Sequence, residues 1–203
     1  MARLGLGEGA IEVKLRRTLQ ALAVAVGLPT VSFAGYCGAL IYGGNFHAVS
    51  DGVLYRSAQL SKAQFAASIR QYHIKSILNL RGAHPREVWY DDEIAAAREN
   101  GAAHYDIALS SKRFVGDEQV EQILALLRDA PKPLLIHCKS GADRSGLVAA
   151  LYRYSIEHAD AAEADRQLSL VYGHFPYLTS RTGAMDDSFW AFVGHSTHVA
   201  AAH

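Results

Sequence analysis

The segment PLLIHCKSGADRSG, residues 133–146, constrains the fold more than any other part of the chain. Its apolar run Leu134–Ile136 is too short for a helix between prolines and a glycine, and too apolar for an edge strand. We therefore predict a central strand that is covered on both faces. A short loop and then a helix follow at once, which places the loop at the carboxyl end of that strand, where open α/β sheets bind their ligands.

Strand and helix patterns alternate along the rest of the chain after Gly44. This alternation predicts an α/β fold with a central, mostly parallel sheet flanked by helices on both faces, in addition to an N-terminal apolar helix. The predicted strands are Val53–Ser57, Lys75–Leu80, Ala103–Leu109 and Leu134–Ile136. The predicted helices are the segment from the N-cap Ser61 to Tyr72, Trp89–Asn100, Asp117–Asp129, Leu147–Tyr154 and Asp160–Tyr172, with Ala184–His203 as a final helix or a frayed end.

The amino terminus has the composition of a membrane-targeting segment. No Asp, Glu, Lys or Arg occurs between Arg17 and Asp51, and Ala21–Ile41 is almost wholly apolar. A helix needs about 20 such residues to cross the hydrocarbon core of a bilayer. Lys14 and Arg16 precede the segment, and the positive-inside bias then places the amino end in the cytoplasm and the remainder on the other side.

Cleavage and anchoring both remain open for this segment. Leu19–Leu28 makes a plausible signal-peptide h-region, and Ser32–Ala34 supplies small residues for a cleavage site. Pro29 and several glycines favour a buried core helix instead, but the basic flank favours membrane targeting. We expect residues 1–44 to be an anchor or signal segment and residues 45–203 to be the globular domain.

Charge and cysteine content restrict the partners and the chemistry. Twenty Lys and Arg residues balance twenty Asp and Glu residues, so the sequence gives no global reason to expect nucleic acid as a partner, and any anion binding must be local. Cys37 lies in the apolar segment and Cys138 in the body, so pairing between them is implausible and Cys138 is expected to be a free thiol. In an exported protein a lone thiol is a liability, which invites a functional explanation.

The loop that follows the central strand has the design of an anion site. Five residues, Lys139–Asp143, separate Cys138 from Arg144, and a helix follows immediately. The N–H groups of such a loop converge, and the helix N-terminus adds partial positive charge. Gly141 permits the tight path, and the guanidinium of Arg144 suits two phosphate oxygens.

The same positive field favours the thiolate form of Cys138, which would then be a nucleophile aimed at a bound phosphorus. Ser145 can donate its hydroxyl to the sulfur and ease its departure from a phosphocysteine. His137 is expected to fix the loop backbone by a hydrogen bond rather than to act as a base. A single cysteine is usually a small core residue, but packing does not require an arginine six places on and a hydroxyl after it.

The motif HCKSGADRS resembles the His-Cys-x5-Arg-Ser/Thr signature loop of the cysteine-dependent protein tyrosine phosphatase superfamily, and the small size resembles its dual-specificity branch. GVLYRSAQLS at 52–61 and SILNLRG at 76–82 resemble bacterial members of that branch, some of which are exported. The resemblance covers roughly residues 46–172. Arsenate reductases and sulfur-transfer enzymes use similar loops, but the late position in the chain argues against the former.

The resemblance implies roles for the loop residues. Cys138 would be the nucleophile, Arg144 would complete the phosphate cradle, and Ser145 would assist release. It implies neither a metal nor another cofactor. The residues expected to bind substrate are Lys139, Ser140, Gly141, Ala142 and Ser145.

The general acid does not follow the family pattern, because the loop at residues 110–116 contains no carboxylate. Asp143 is the favoured candidate, since some bacterial and lipid-directed relatives also have Asp immediately before the arginine. Its alternative roles are to orient Arg144 or to cap the helix. Asp117 is expected to be an N-cap, and Asp106 lies in a predicted strand.

Other charged residues point to no second site. Two interpretations fit Arg81, Lys112 and Arg113. They either surround the pocket and bind a second charge of the substrate, or they are ordinary solvent-exposed charges. No carboxylate or thiol lies at a metal-ligand spacing from the later histidines, which are His174, His195, His198 and His203.

The expected function is hydrolysis of phosphotyrosine, and of phosphoserine or phosphothreonine as further substrates, in proteins. One alternative is a phosphatase for phosphoinositides, lipid phosphates or other small molecules. A second alternative is a phosphate-binding module with weak catalysis. The expected partners are a phosphorylated protein and, if the N-terminal segment is uncleaved, a membrane.

Overall fold

The computed structural model describes residues 8–177 and 179–201. The chain divides into two compact units, Met1–Ala39 and Leu40–His203. Helix α1, Glu8–Tyr42, accounts for the described part of the first unit. Within α1, the stretch Glu12–Leu40 is 29 residues long with a mean hydropathy of 1.5, and its apolar window is not buried. Length and composition are therefore sufficient for a membrane span, and the predicted N-terminal apolar helix is present.

The second unit contains a five-stranded sheet in the order β1-β2-β5-β3-β4. β1 pairs antiparallel with β2, and all other neighbours are parallel. The mostly parallel sheet and the central position of the strand before the loop are thus confirmed. The strands are β1 His47–Ser50, β2 Leu54–Ser57, β3 Ser76–Asn79, β4 Ala103–Asp106 and β5 Leu134–His137.

Helices cover both faces of the sheet. They are α2 Lys62–Gln71, α3 Val88–Glu99, α4 Asp117–Asp129, α5 Asp143–Ser155, α6 Ala161–Asp165 and α7 Ala184–Ala201. The side chains of the central strand alternate between the two resulting cores: Leu134 and Ile136 belong to the core formed with α4, α5 and α7, whereas Leu135 belongs to the core formed with α2 and α3.

Most predicted elements are confirmed, including Ser61 as the N-cap of α2, where it also forms a capping box with Gln64. The predicted helix over 160–172 is wrong, because α6 ends at Asp165 and only a single 3-10 turn, Leu170–Tyr172, follows. The backbone carbonyl and the side chain of Gln167 both accept hydrogen bonds from Arg56, and this tertiary contact takes the carbonyl that a longer helix would use.

One strand was missed, and one predicted N-cap is wrong. Strand β1, with the sequence HAVS, was not predicted, because four residues of mixed polarity carry no distinctive pattern. Asp117 is the first residue of α4 rather than its N-cap, which is Gly116. The final helix α7 is present through Ala201, and His203 lies outside the described residues.

Candidate active site

Cys138 follows β5 directly and its thiol is free, with only 1% of the residue exposed. The sulfur lies 3.4 Å from the hydroxyl oxygen of Ser145 in the first turn of α5. Burial raises the pKa of the thiol, but Arg144, the Ser145 hydroxyl and the N–H groups of Ser145 and Gly141 outweigh it and lower the pKa below its ordinary value. The site therefore favours a thiolate, the nucleophilic form of cysteine.

The carbonyl groups of residues 139–142 accept hydrogen bonds from donors outside the loop, and we call the donor residues Asn45, Arg56 and Gln59 the outer shell. Ala142 O also accepts from Gly146 N–H in the following helix. The backbone N–H of Gln59 donates to Lys139 O at 3.2 Å, Asn45 Nδ2 donates to Ser140 O at 2.9 Å, and Arg56 Nη2 donates to both Gly141 O and Ala142 O at 2.9 Å.

Outward carbonyls have a direct consequence for the amides of the loop. A trans peptide is planar and carries its N–H opposite its C=O, so holding the carbonyls outward turns the following N–H groups toward the other side. Gly141 adopts φ +72°, and a Cβ there would lie 2.6 Å from the backbone nitrogen of Ala58, so only glycine fits this position. The N–H groups of Gly141 and Ser145 both face the Cys138 sulfur, and such converging amides suit an anion site.

Arg56 is the centre of this shell and is fully buried. Besides the two loop carbonyls, it donates to the backbone and side-chain oxygens of Gln167 at 2.8 and 2.9 Å, and its guanidinium lies 4.0 Å above the Tyr172 ring. Burial lowers the pKa of Arg56 to about 10, with Tyr172, Cys138 and Asp143 acting in the opposite direction. Arg56 therefore remains a cation at neutral pH and adds positive charge beneath the loop.

Arg144 is held by the ends of two strands. Its Nη1 donates to the backbone oxygens of Leu80 and Leu109, at 3.2 and 3.3 Å, which follow β3 and β4. Its Nε is buried and has no hydrogen-bond partner within the described residues. A buried guanidinium N–H without a partner is costly unless a ligand accepts from it, and a phosphate oxygen is a suitable acceptor.

The three candidate acids occupy different environments. Asp143, the first residue of α5, accepts a hydrogen bond from His174 Nδ1 at 2.7 Å. Asp106 uses both carboxylate oxygens elsewhere, accepting from Asn79 and from a tyrosine hydroxyl. The side chain of Asp117 is 68% exposed and faces a histidine of α7. Of the three, Asp143 is the one that lies within the loop motif.

His137 differs from the expectation that it binds the loop backbone. Its Nε2 lies 2.7 Å from Oε1 of the fully buried Glu93, and His104 Nε2 reaches the same oxygen at the same distance. Burial raises the pKa of Glu93, but His137, His104 and Gln59 outweigh it and lower the pKa to about 2. The buried carboxylate of Glu93 in α3 thus holds His137, the last residue of β5.

The other predicted cations differ in their contacts. Arg81 donates to the Gln59 side chain at 2.7 Å and lies 3.3 Å above the Trp89 ring, so it adjoins the outer shell of the loop. Lys112 and Arg113 are exposed, and so is Lys139 within the loop itself.

The model of the tyrosine phosphatase family matches residues 40–162, which is more than half of the chain and includes the whole loop. The chain belongs to the tyrosine phosphatase family.

Relatives of known name agree with this membership. The dual specificity protein phosphatase TpbA of Pseudomonas aeruginosa is 31% identical over 113 residues, which are 55% of this chain and 47% of TpbA. The chain thus matches about half the length of its curated relatives.

Solved structures show the same fold. The crystal structure of P. aeruginosa TpbA in complex with pTyr superposes with a TM-score of 0.53 at 22% identity, covering 74% of this chain and 91% of that one. The core catalytic domain of the PP-IP phosphatase SIW14 from S. cerevisiae gives a TM-score of 0.56 at 19% identity, covering 75% and 93%.

Sequence reasoning missed the residues that hold the loop from outside. Arg56 lies in the YRS segment, where an arginine among apolar residues of a predicted short strand was an available signal, because a charge that becomes buried needs dedicated partners. Asn45, Glu93 and His174 carry no local pattern that marks them, since their partners are distant in sequence. His174 was considered only as a metal ligand.

Proposed function

We propose that the chain hydrolyses phosphomonoesters through a cysteinyl-phosphate intermediate, and that its substrates are phosphotyrosine-containing proteins. The observation that carries this proposal is the buried thiol of Cys138, whose pKa is lowered inside a loop of outward-facing carbonyls. Residues 45–203 would be the phosphatase domain.

The chemistry follows from the positions of three side chains. The Cys138 thiolate attacks phosphorus and forms an S–P bond while the P–O bond to the leaving group breaks. Arg144 and the loop amides of Lys139, Ser140, Gly141 and Ala142 bind the phosphoryl oxygens, and their fixed dipoles stabilise the charge of the transition state. Water then attacks the phosphocysteine, and Ser145 donates its hydroxyl to the departing sulfur.

Asp143 is the proposed proton donor. It transfers its proton to the leaving oxygen in the first step and takes one from the attacking water in the second, so the carboxyl group returns to its initial state. Two observations favour it over the other candidates. The oxygens of Asp106 are both bound elsewhere, and Asp117 is solvent-exposed.

The substrate class is supported by the names of relatives. TpbA is a dual specificity protein phosphatase, and one of its structures contains pTyr. The second candidate substrate is an inositol phosphate or lipid phosphate. The exposed Lys139 in the loop and the likeness to a PP-IP phosphatase favour it.

Turnover of p-nitrophenyl phosphate separates catalysis from simple phosphate binding, because this leaving group needs little protonation. Cys138→Ser should abolish hydrolysis while leaving affinity for inorganic phosphate within a small factor of the parent. Normal turnover by this variant would exclude the covalent route, and an inert parent protein would favour the binding module. Rates on phosphotyrosyl peptides, compared with those on inositol phosphates, then decide the substrate class.

Asp143→Asn tests the proton donor. It should slow esters with poor leaving groups far more than p-nitrophenyl phosphate, because only the former need a proton at the departing oxygen. Asp106→Asn and Asp117→Asn are the controls. Equal slowing of good and poor leaving groups would remove Asp143 from this role.

The apolar helix α1 supports a location at or beyond a membrane. The helix would anchor the chain, or be cleaved as a signal, and the basic residues ahead of it would leave the phosphatase domain on the periplasmic or other extracytoplasmic side. Fractionation of the full chain, combined with protease accessibility in intact cells, tests this placement. Full protection of the domain in intact spheroplasts would contradict it.

A further inference from the structure

His174 lies behind the loop and is bound on both sides by carboxylates. Only 1% of the residue is exposed. Its Nδ1 lies 2.7 Å from Oδ1 of Asp143, in the first turn of α5, and its Nε2 lies 2.9 Å from Oδ2 of Asp186, in the first turn of α7. The ring therefore connects the loop aspartate to a different helix.

When both aspartates are carboxylates, both contacts are favourable only if both ring nitrogens donate, which describes the imidazolium form. Burial lowers the pKa of His174, but the hydrogen bonds and charges of Asp143 and Asp186 outweigh it and raise the pKa to about 9. The charged groups around the ring are Asp143 from α5, Asp165 from α6 and Asp186 from α7, and Arg56 from β2 interacts with Asp143.

An aspartate inside an anion-binding loop poses an electrostatic problem. A carboxylate beside an incoming phosphate dianion repels it, and within a partly buried site this repulsion is weakly screened. A cation bound to Asp143 cancels that repulsion. It also fixes which carboxyl oxygen remains available, because Oδ1 is occupied by His174 and Oδ2 is not.

We propose that His174 is a positioning residue for the phosphate loop: as an imidazolium anchored to α7 through Asp186, it neutralises Asp143 and fixes its orientation. The proposal rests on the proposed function in one respect, the transfer of a proton by Asp143. The proposed function requires Asp143 to carry a proton when the ester binds; once that proton has passed to the leaving oxygen, Asp143 is again the carboxylate that His174 neutralises. The effect on phosphate affinity does not depend on turnover.

Two isosteric substitutions separate the contacts. The amide of Asn at position 174 lies near the place of Nδ1 and can still donate to Asp143, whereas the amide of Gln lies near the place of Nε2 and reaches toward Asp186. Both variants are made in the full chain carrying Cys138→Ser, so that inorganic phosphate binds without turnover. His195→Gln is the matched control, because its exposed ring also faces a carboxylate but lies far from the loop motif in sequence.

Both variants lose the positive charge of the ring, so both should weaken phosphate binding at pH 7.5: His174→Asn by about threefold, and His174→Gln, which also loses the hydrogen bond to Asp143, by about tenfold. The control should bind like the parent. Equal affinities in all four proteins would overturn the proposal. A structural role alone would lower the thermal stability of both His174 variants without separating their affinities, and that outcome would also overturn it.

NMR titration of the His174 ring in the parent protein provides a test that needs no His174 variant. The ring should stay protonated through neutral pH and lose its proton near pH 9, and Asp186→Asn should move this titration to lower pH because one carboxylate is gone. A ring that is neutral at pH 7 would refute the proposal. If the parent fails to hydrolyse p-nitrophenyl phosphate, the proposed function fails, but the affinity and NMR measurements still decide the role of His174.

Discussion

Ser145→Ala removes one identifiable support of the thiolate and leaves the rest of the loop in place. The hydroxyl oxygen is fully buried and lies 3.4 Å from the Cys138 sulfur. Hydrogen bonds to charged groups contribute about 1.5–3 kcal/mol, and the length of this contact places it at the lower end of that range. Since about 1.4 kcal/mol corresponds to one pH unit, the substitution should raise the pKa of the thiol by about one.

The rate of alkylation by iodoacetamide, measured across pH, reports this pKa, because the thiolate is the reacting form. The midpoint should move to higher pH by about one in Ser145→Ala. Ser76→Ala is the matched control, since Ser76 is also a buried serine but bonds to Pro131 O at the opposite end of the sheet. The control midpoint should not move.

A second consequence appears in turnover. With p-nitrophenyl phosphate, Ser145→Ala should show a burst of nitrophenol followed by a slow steady state, because departure of sulfur from phosphorus loses its hydrogen-bond donor. An unchanged alkylation midpoint together with an unchanged steady-state rate would refute the assigned role of Ser145.

Three further substitutions test the surroundings of the loop. Gly141→Ala places a Cβ 2.6 Å from the Ala58 nitrogen at φ +72°, so phosphate affinity should fall more than about tenfold, and parental affinity in a titration would contradict the amide cradle. Arg56→Met removes four hydrogen bonds, two buried and two partly buried, and should cost about 3–5 kcal/mol in urea unfolding; a loss below about 1 kcal/mol would show that the cation is dispensable. Glu93, with its pKa lowered to about 2, contributes about 3 kcal/mol of stability that is present above pH 4.5 and lost as pH falls toward 2. Glu93→Gln should therefore flatten acid unfolding over that window, and an unchanged acid transition would exclude this source.

Local patterns were sufficient for the four parallel strands of the sheet and for the loop motif. The apolar run before the loop defined β5 as the central strand, and the periodic apolar positions of α4 defined that helix to the residue. The positions of the two cysteines predicted a free thiol at Cys138, and the loop motif predicted Ser145 beside its sulfur; the structure shows both. These features depend on neighbours in sequence, and sequence reasoning is strongest there.

The remaining features depend on contacts across the fold. The helix over 160–172 fails because Arg56 binds Gln167 from 111 residues away, and no local periodicity contains that contact. His137 meets Glu93 from α3 instead of the loop backbone for the same reason. The partner of Asp143 was missed because His174 follows the loop motif by about 30 residues in irregular chain. Its role becomes visible only when α5 and α7 are brought together.

The outer shell around residues 139–142 makes the acidity of Cys138 a property of the completed fold. Its donors come from Asn45, Arg56 and Gln59, all far upstream, and Asp143 is held by His174 from downstream. A nascent or unfolded chain has no such enclosure, so the sulfur retains ordinary thiol acidity and remains mostly protonated at neutral pH. Under the proposed export of the chain, the thiol would therefore gain its reactivity only after folding on the far side of the membrane, which would limit its oxidation before that point.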